Sequence, residues 1–245
     1  MSKNIVEFRN VIKKYNGVNV VDNISLKINQ GEFLCIVGTS GSGKTTMMKM
    51  VNGLITPDSG EVFIHGKNIC SEDLICLRKK IGYSIQGNCL FPHMSVEENI
   101  GYVPKLEKKS KNEIDEIVSN MLKLVSLSED IRTKYPNELS GGQQQRVGIA
   151  RAYANNPSIL LMDEPFGAVD SITRYQLQKD LKEIHIKTNC TVIFITHDIN
   201  EAFKLSTRTL VLDKGKIQQY GSTDEVKNNP SSGFVKKLIE MTKYD

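Results

Sequence analysis

The sequence predicts an α/β fold: a mixed sheet crossed by helices, with an antiparallel β subdomain on its N-terminal side and an inserted helical subdomain. Three observations predict it. Residues 33–37, 159–162 and 191–195 are unbroken apolar runs, as expected of strands buried on both faces of a parallel sheet. Segments of helical period separate these runs, which is the pattern of crossover units. Ahead of them, residues 6–11 and 24–28 alternate apolar and polar side chains, as half-exposed antiparallel strands do.

Each element has a local reason. Gly17 and Gly31 punctuate the two N-terminal strands, and the run at 33–37 ends at Gly38. A helix is predicted over 45–54, with Met47, Met48, Val51 and Leu54 at helical spacing and Gly53 and Pro57 marking its end. Ser110 and Glu113 form a capping box, followed by Ile114, Ile117, Val118, Met121, Leu122 and Val125 on one helical face. Residues 87–152 are therefore expected to form the helical subdomain, set into a core of 1–86 and 153–222. Asp198 is placed to cap a helix carrying Ala202, Phe203 and Leu205, and residues 209–217 suggest a hairpin around Lys214 and Gly215. The tail, 223–245, is expected to close in short helical turns. No internal repeat or low-complexity linker interrupts this single-domain organisation.

Composition excludes several classes. The 245 residues are 39% hydrophobic and 24% charged, an ordinary composition for a packed domain. Lys and Arg number 32 against 28 Asp and Glu, a formal net charge of +4, so no nucleic-acid partner is expected. Cysteines 35, 70, 76, 89 and 190 are odd in number and contain no C-x-x-C pair. They are expected to be buried thiols in a reducing compartment rather than a zinc cluster or a disulfide framework. No apolar run approaches the roughly 18 residues of a membrane span, and the polar N-terminus lacks a signal-peptide core. Any link to a membrane is expected to pass through a partner chain.

Two motifs carry chemistry. Gly38, Thr39, Ser40, Gly41, Ser42, Gly43, Lys44 and Thr45 satisfy G-x-x-x-x-G-K-[ST] between a buried strand and a helix, with Thr46 completing the candidate nucleotide-binding set. The glycines let backbone N–H groups converge on phosphate oxygens at the positive end of the helix dipole. Lys44 would reach the β- and γ-phosphates, and the Thr45 hydroxyl would ligate Mg²⁺. At the end of the 159–162 run, Asp163 is suited to hold Mg²⁺ and Glu164 to polarise the water that attacks the γ-phosphate. ATP and Mg²⁺ are the cofactors this P-loop NTPase pattern implies.

Leu139-Ser140-Gly141-Gly142-Gln143 precedes a helix predicted over 144–155, so Ser140 and the glycine amides offer a second anion site. With the phosphate loop and Leu161-Met162-Asp163-Glu164, this motif stands in the order and approximate spacing of the ATP-binding subunits of ABC transporters, which the sequence resembles over nearly its whole length. The resemblance implies a RecA-like core and ATP hydrolysis. It implies that Tyr15 stacks on adenine, that Gln86 links the Mg²⁺ site to a transmembrane partner, that His197 contacts the γ-phosphate, and that Asp170 lies at a subunit interface. Glu164, His197, Gln86 and Lys44 become the catalytic candidates, and Thr45, Gln86 and Asp163 the metal ligands. It further implies a head-to-tail homodimer in which the phosphate loop of one subunit faces Ser140, Gly141, Gly142 and Gln143 of the other. That dimer would sit on the cytoplasmic face of the membrane against a permease, served by a substrate-binding protein.

Residues 90–100, 135–146 and 163–172 resemble importer ATPases for glycine betaine, choline, carnitine and related quaternary amines, including osmoprotectant systems. Many members of that branch continue into paired CBS domains, and none is expected before Asp245. Two alternatives stay open: an importer ATPase for another small solute, and a soluble ABC-type ATPase without a permease.

Overall fold

The computed structural model describes residues 4–85, 87, 90–167 and 169–241. The chain opens with β1 (Asn4–Tyr15), β2 (Val18–Asn29), β3 (Phe33–Gly38), α1 (Lys44–Val51), β4 (Ser59–Ile64), β5 (Lys67–Asn68) and α2 (Leu74–Lys79). It continues with β6 (Ile81–Ser84), α3 (Val96–Leu106), α4 (Lys111–Leu124), α5 (Gly141–Tyr153), β7 (Ile159–Asp163) and α6 (Ser171–Thr188). It closes with β8 (Thr191–Thr196), α7 (Ile199–Leu205), β9 (Arg208–Asp213), β10 (Lys216–Ser222), α8 (Thr223–Asn228) and α9 (Gly233–Met241). These elements fall into two compact units, one built from the chain up to Arg78 and from Cys190 onward, the other from Lys79 to Asn189.

The first unit contains two β layers. β1 pairs antiparallel with β2 and with β4, and β4 with β5. Val6, Phe8 and Val11 of β1 and Ile24, Leu26 and Ile28 of β2 are buried, which is the alternation expected of a sheet with one dry face. Asn16 and Gly17 both take positive φ, the backbone twist that joins two antiparallel strands tightly. In the other layer β3 lies between β8 and β9, parallel to both, with β10 antiparallel beyond β9. Every residue of β3 and β8 is buried, and Phe33 meets Phe194 at 6.1 Å between ring centroids, which explains why their runs are apolar throughout.

In the second unit β6 and β7 run parallel, and α3, α4 and α5 pack together behind capping boxes. Val118, Leu122 and Val125 are the residues of the predicted α4 stripe that are fully buried, while Ile114, Ile117 and Met121 are half-buried. Arg132 ties the helices together, donating to Glu97 at 3.1 Å and Glu129 at 3.3 Å and pairing with Asp115.

Several predicted boundaries and one predicted environment differ from the structure. α1 stops at Val51 because Asn52 ends the helix and Gly53, at φ 64°, turns the chain, leaving Leu54 half exposed. α5 begins at Gly141, not 144, because the Ser140 hydroxyl accepts from the Gln143 amide and starts the helix earlier. The thiols are not all buried: Cys35 and Cys190 are, but Cys70 and Cys76 are exposed, one in the turn after β5 and the other on the outer side of α2. Cys89 lies outside the described residues. No helix among the described residues is long and apolar enough to cross a membrane.

Candidate functional site

The loop from Gly38 to Thr45 leaves the buried end of β3 and enters α1. Its glycines are required by contacts made elsewhere in the chain. A Cβ on Gly38 would stand 1.9 Å from the Leu212 carbonyl oxygen, and one on Gly43, at φ 101°, would stand 2.3 Å from the Val20 carbonyl oxygen. Both distances are physically impossible, so only glycine lets the loop lie this close to β2 and β9. The Ser42 carbonyl accepts from the Gly215 amide at 3.1 Å, and the Thr39 hydroxyl donates to Asp213 at 3.1 Å. The loop is thus pinned at its base while Thr39, Ser40 and Gly41 remain exposed.

Lys44 is 93% buried, and its ammonium donates to the Gly38 carbonyl at 2.9 Å and the Thr39 carbonyl at 2.8 Å. It is held folded back over the loop by the backbone it would leave to meet a phosphate. Thr45 and Thr46 are half-buried in the first turn of α1. An open cleft of about 650 Å³ adjoins the loop, lined by Gly17, Val18, Asn19, Val20, Gly41, Lys214 and Gly215. Tyr15 ends β1 just ahead of that turn with 45% of its surface exposed, and the Lys13 ammonium lies over its ring, 5.6 Å from the centroid.

His197 is exposed directly after β8. Its position is fixed on both sides: the Thr196 hydroxyl donates to buried Glu201 at 2.5 Å and accepts from the Asp198 amide at 3.0 Å, while Asp198 caps α7.

The second unit carries the remaining candidates. Asp163 is the last residue of β7 and is 94% buried. Glu164 follows at φ 44°, a left-handed conformation uncommon outside glycine, in a turn closed by the Gly167 amide donating to its carbonyl at 3.3 Å. Ser140 and Gln143 cap each other reciprocally, so Gly141 and Gly142 form the first turn of α5 at an exposed helix start. Asp170 caps α6, accepting from the Ile172 amide at 3.1 Å and the Thr173 amide at 3.0 Å. The Thr173 amide, helped by its hydroxyl, holds the Asp170 carboxyl below the usual carboxylate range. Gln86 lies outside the described residues.

The donor set suits a nucleotide. A glycine-lined cradle, a buried ammonium and a helix start favour a polyphosphate. Thr45 in the first unit and Asp163 in the second each carry a hard oxygen of the kind Mg²⁺ takes. Among the described residues no group of three or more His, Cys, Asp or Glu is arranged to hold a metal ion.

The contacts that fix the loop, from the Val20 and Leu212 carbonyls and Asp213, have no sequence motif of their own. Asn99 was also missed. It is fully buried and braces the 91–94 turn, and its only sequence signal is its place beside the Ser95 and Glu98 capping box.

A family model described as ABC transporter matches residues 21–167, a span that contains the phosphate loop, the 139–143 turn and Asp163 with Glu164. This chain belongs to the ABC transporter family. Among curated members, the choline transport ATP-binding protein OpuBA of Bacillus subtilis is 48% identical over 96% of this chain and 62% of its own length. The glycine betaine uptake system ATP-binding protein YehX of Escherichia coli is 42% identical over 96% of this chain and 76% of its own length. The chain spans about three fifths of the length of the OpuBA and OpuCA relatives it matches. Among solved structures, the dimeric ATP-binding cassette MJ0796 in a post-hydrolysis state with ADP and Pi has a TM-score of 0.79 at 36% identity, covering 89% of this chain and 98% of that one. The ABC transporter component cbiO1 of Clostridium perfringens has a TM-score of 0.86 at 28% identity, covering 94% and 92%.

Proposed function

We propose that this chain is the ATP-hydrolysing subunit of an importer that moves a quaternary ammonium compound, such as choline, glycine betaine or carnitine, through a separate permease. The observation that carries the reading is the 38–46 loop, which is pinned at its base with Lys44 folded over it at the start of α1, the arrangement that suits a polyphosphate. The cargo rests on the names of the choline, carnitine and glycine betaine relatives, at 42–48% identity.

In this reading Lys44 leaves its carbonyl partners to neutralise the β- and γ-phosphates, and Tyr15 stacks on the base. Thr45, Asp163 and Gln86 hold Mg²⁺, which supplies charge neutralisation at the phosphates. Glu164 orients and polarises the attacking water, help typically worth about 10² to 10⁴ in rate. His197 contacts the γ-phosphate of the bound nucleotide. Ser140, Gly141, Gly142 and Gln143 bind the nucleotide of a second, head-to-tail copy, with Asp170 at that interface. Loss of the γ-phosphate removes contacts made only to ATP, so the dimer reopens by a shift in population. Residues 87–152 act as the helical subdomain that passes this motion, through Gln86 and the 91–94 turn, to a permease served by a substrate-binding protein. The working place is the cytoplasmic face of the membrane.

Uptake of labelled choline, glycine betaine, carnitine and ergothioneine, compared between cells with the native chain and with Lys44→Ala, tests the whole reading. Loss of one or more of these uptakes is expected. Unchanged uptake of all four would overturn the cargo assignment and turn attention to other solutes, since relatives at 41–42% identity are named as spermidine/putrescine and sulfate/thiosulfate import proteins.

A further inference from the structure

The two glycines of the 140–143 turn are not equivalent. A Cβ on Gly141 would meet nothing within 4 Å, whereas one on Gly142 would stand 2.5 Å from the Thr173 methyl, with the Thr173 Cβ at 3.9 Å. The methyl alone therefore fills the space a side chain at 142 would need. Thr173 lies in the first turn of α6, where its amide donates to the Asp170 carboxylate at 3.0 Å. A β-branched side chain in a helix has few χ1 states, so the Thr173 methyl has little freedom to move away from Gly142. Arg174 fastens the same segment: its amide donates to the Asp170 carbonyl at 2.8 Å and its guanidinium to the Val169 carbonyl at 3.1 Å.

We propose that Thr173 is a positioning residue that joins the Ser140-Gly141-Gly142 turn to Asp170, so that the anion-binding turn and the interface acid are held as one piece. Gly142 is glycine because Thr173 occupies the place of its side chain. The functional part rests on the reading above, in which this turn binds the nucleotide of a second copy; the contact itself does not.

The test compares the full chain with Gly141→Ala, Gly142→Ala, Thr173→Ser and the double variant Gly142→Ala with Thr173→Ser, which moves one methyl across the contact. Without nucleotide, Gly141→Ala is expected to keep the thermal midpoint within about 2 °C, since it fills open space and favours helix. Gly142→Ala is expected to lower it by roughly 3–8 °C through overpacking, and the double variant to recover at least half of that loss. In a Glu164→Gln background, Thr173→Ser is expected to leave the midpoint within about 2 °C yet raise the ATP concentration for half-maximal dimerisation about threefold or more. A wild-type midpoint for Gly142→Ala, a double variant no better than Gly142→Ala, or an unchanged ATP requirement for Thr173→Ser would each overturn the inference. Failure of the Glu164→Gln chain to dimerise with ATP at all would count against the reading of function, while the midpoints would still decide the contact.

Discussion

Gly43 shows how much a single residue decides here. Its φ of 101° and the Val20 carbonyl 2.3 Å from any Cβ mean that Gly43→Ala must distort either β2 or the phosphate loop. A nucleotide-binding titration is expected to show ATP affinity reduced at least tenfold, with the thermal midpoint lowered as well. The cysteines separate by the same logic of burial. Desolvation pushes the Cys35 thiol far up and the Cys190 thiol up to about 12, so neither forms thiolate near neutral pH. Alkylation of the folded chain at pH 8, read by peptide mass mapping, is expected to label Cys70 and Cys76 and to spare Cys35 and Cys190 until denaturant is added. Because the folded Cys190 pKa is raised, its contribution to stability is full below the ordinary thiol pKa and is lost as pH climbs towards 12.

At the scale of elements, one buried side chain organises a turn. Asn99, in the first turns of α3, accepts from the Phe91 amide at 2.8 Å and donates to the carbonyls of Phe91, Met94 and Ser95 at 3.2, 3.0 and 3.0 Å. Arg151 of α5 reaches the same amide oxygen at 3.3 Å, and its guanidinium stacks 5.0 Å from the Phe91 ring centroid. The turn assigned to the permease under our proposal is therefore built on α3 and braced by α5, the helix that Ser140 caps. Asn99→Ala takes this partner from the Phe91 amide and the Met94 carbonyl, while the Phe91 and Ser95 carbonyls still accept from the Met94 and Asn99 amides, and is expected to cost about 2–4 kcal/mol in urea unfolding. A loss under 1 kcal/mol would mean that water replaces the amide.

For the whole molecule, the expected behaviour is a switch in oligomeric state. One solved relative, the MJ0796 cassette, is dimeric in two structures, one of which holds ADP and Pi. Glu164→Gln is expected to slow turnover by about 100-fold or more and, with ATP and Mg²⁺, to elute at twice the mass of the nucleotide-free chain. Chelating Mg²⁺ should return it to monomer, because the phosphate charge then loses its main partner. A monomeric profile in ATP and Mg²⁺ would overturn the proposed ATP-dependent dimer.

What the sequence determined by itself was local. The phosphate loop, the capping box at Ser110, the cap at Asp198 and the hairpin turn at Lys214-Gly215 are contiguous, and their chemistry acts over three to eight residues, so their spelling suffices. The three buried strands were equally plain, because burial on both faces removes polar residues from the run. α6 was not singled out, although it has 18 residues, since Ile172, Tyr175 and Ile186 are exposed and blur its period. Only the tertiary structure decided why Gly38 and Gly43 must be glycine, which cysteines face water, and what Thr173 does for Gly142. Each of these depends on a group brought close in space, and neither composition nor spacing carries the distance between two atoms far apart along the chain.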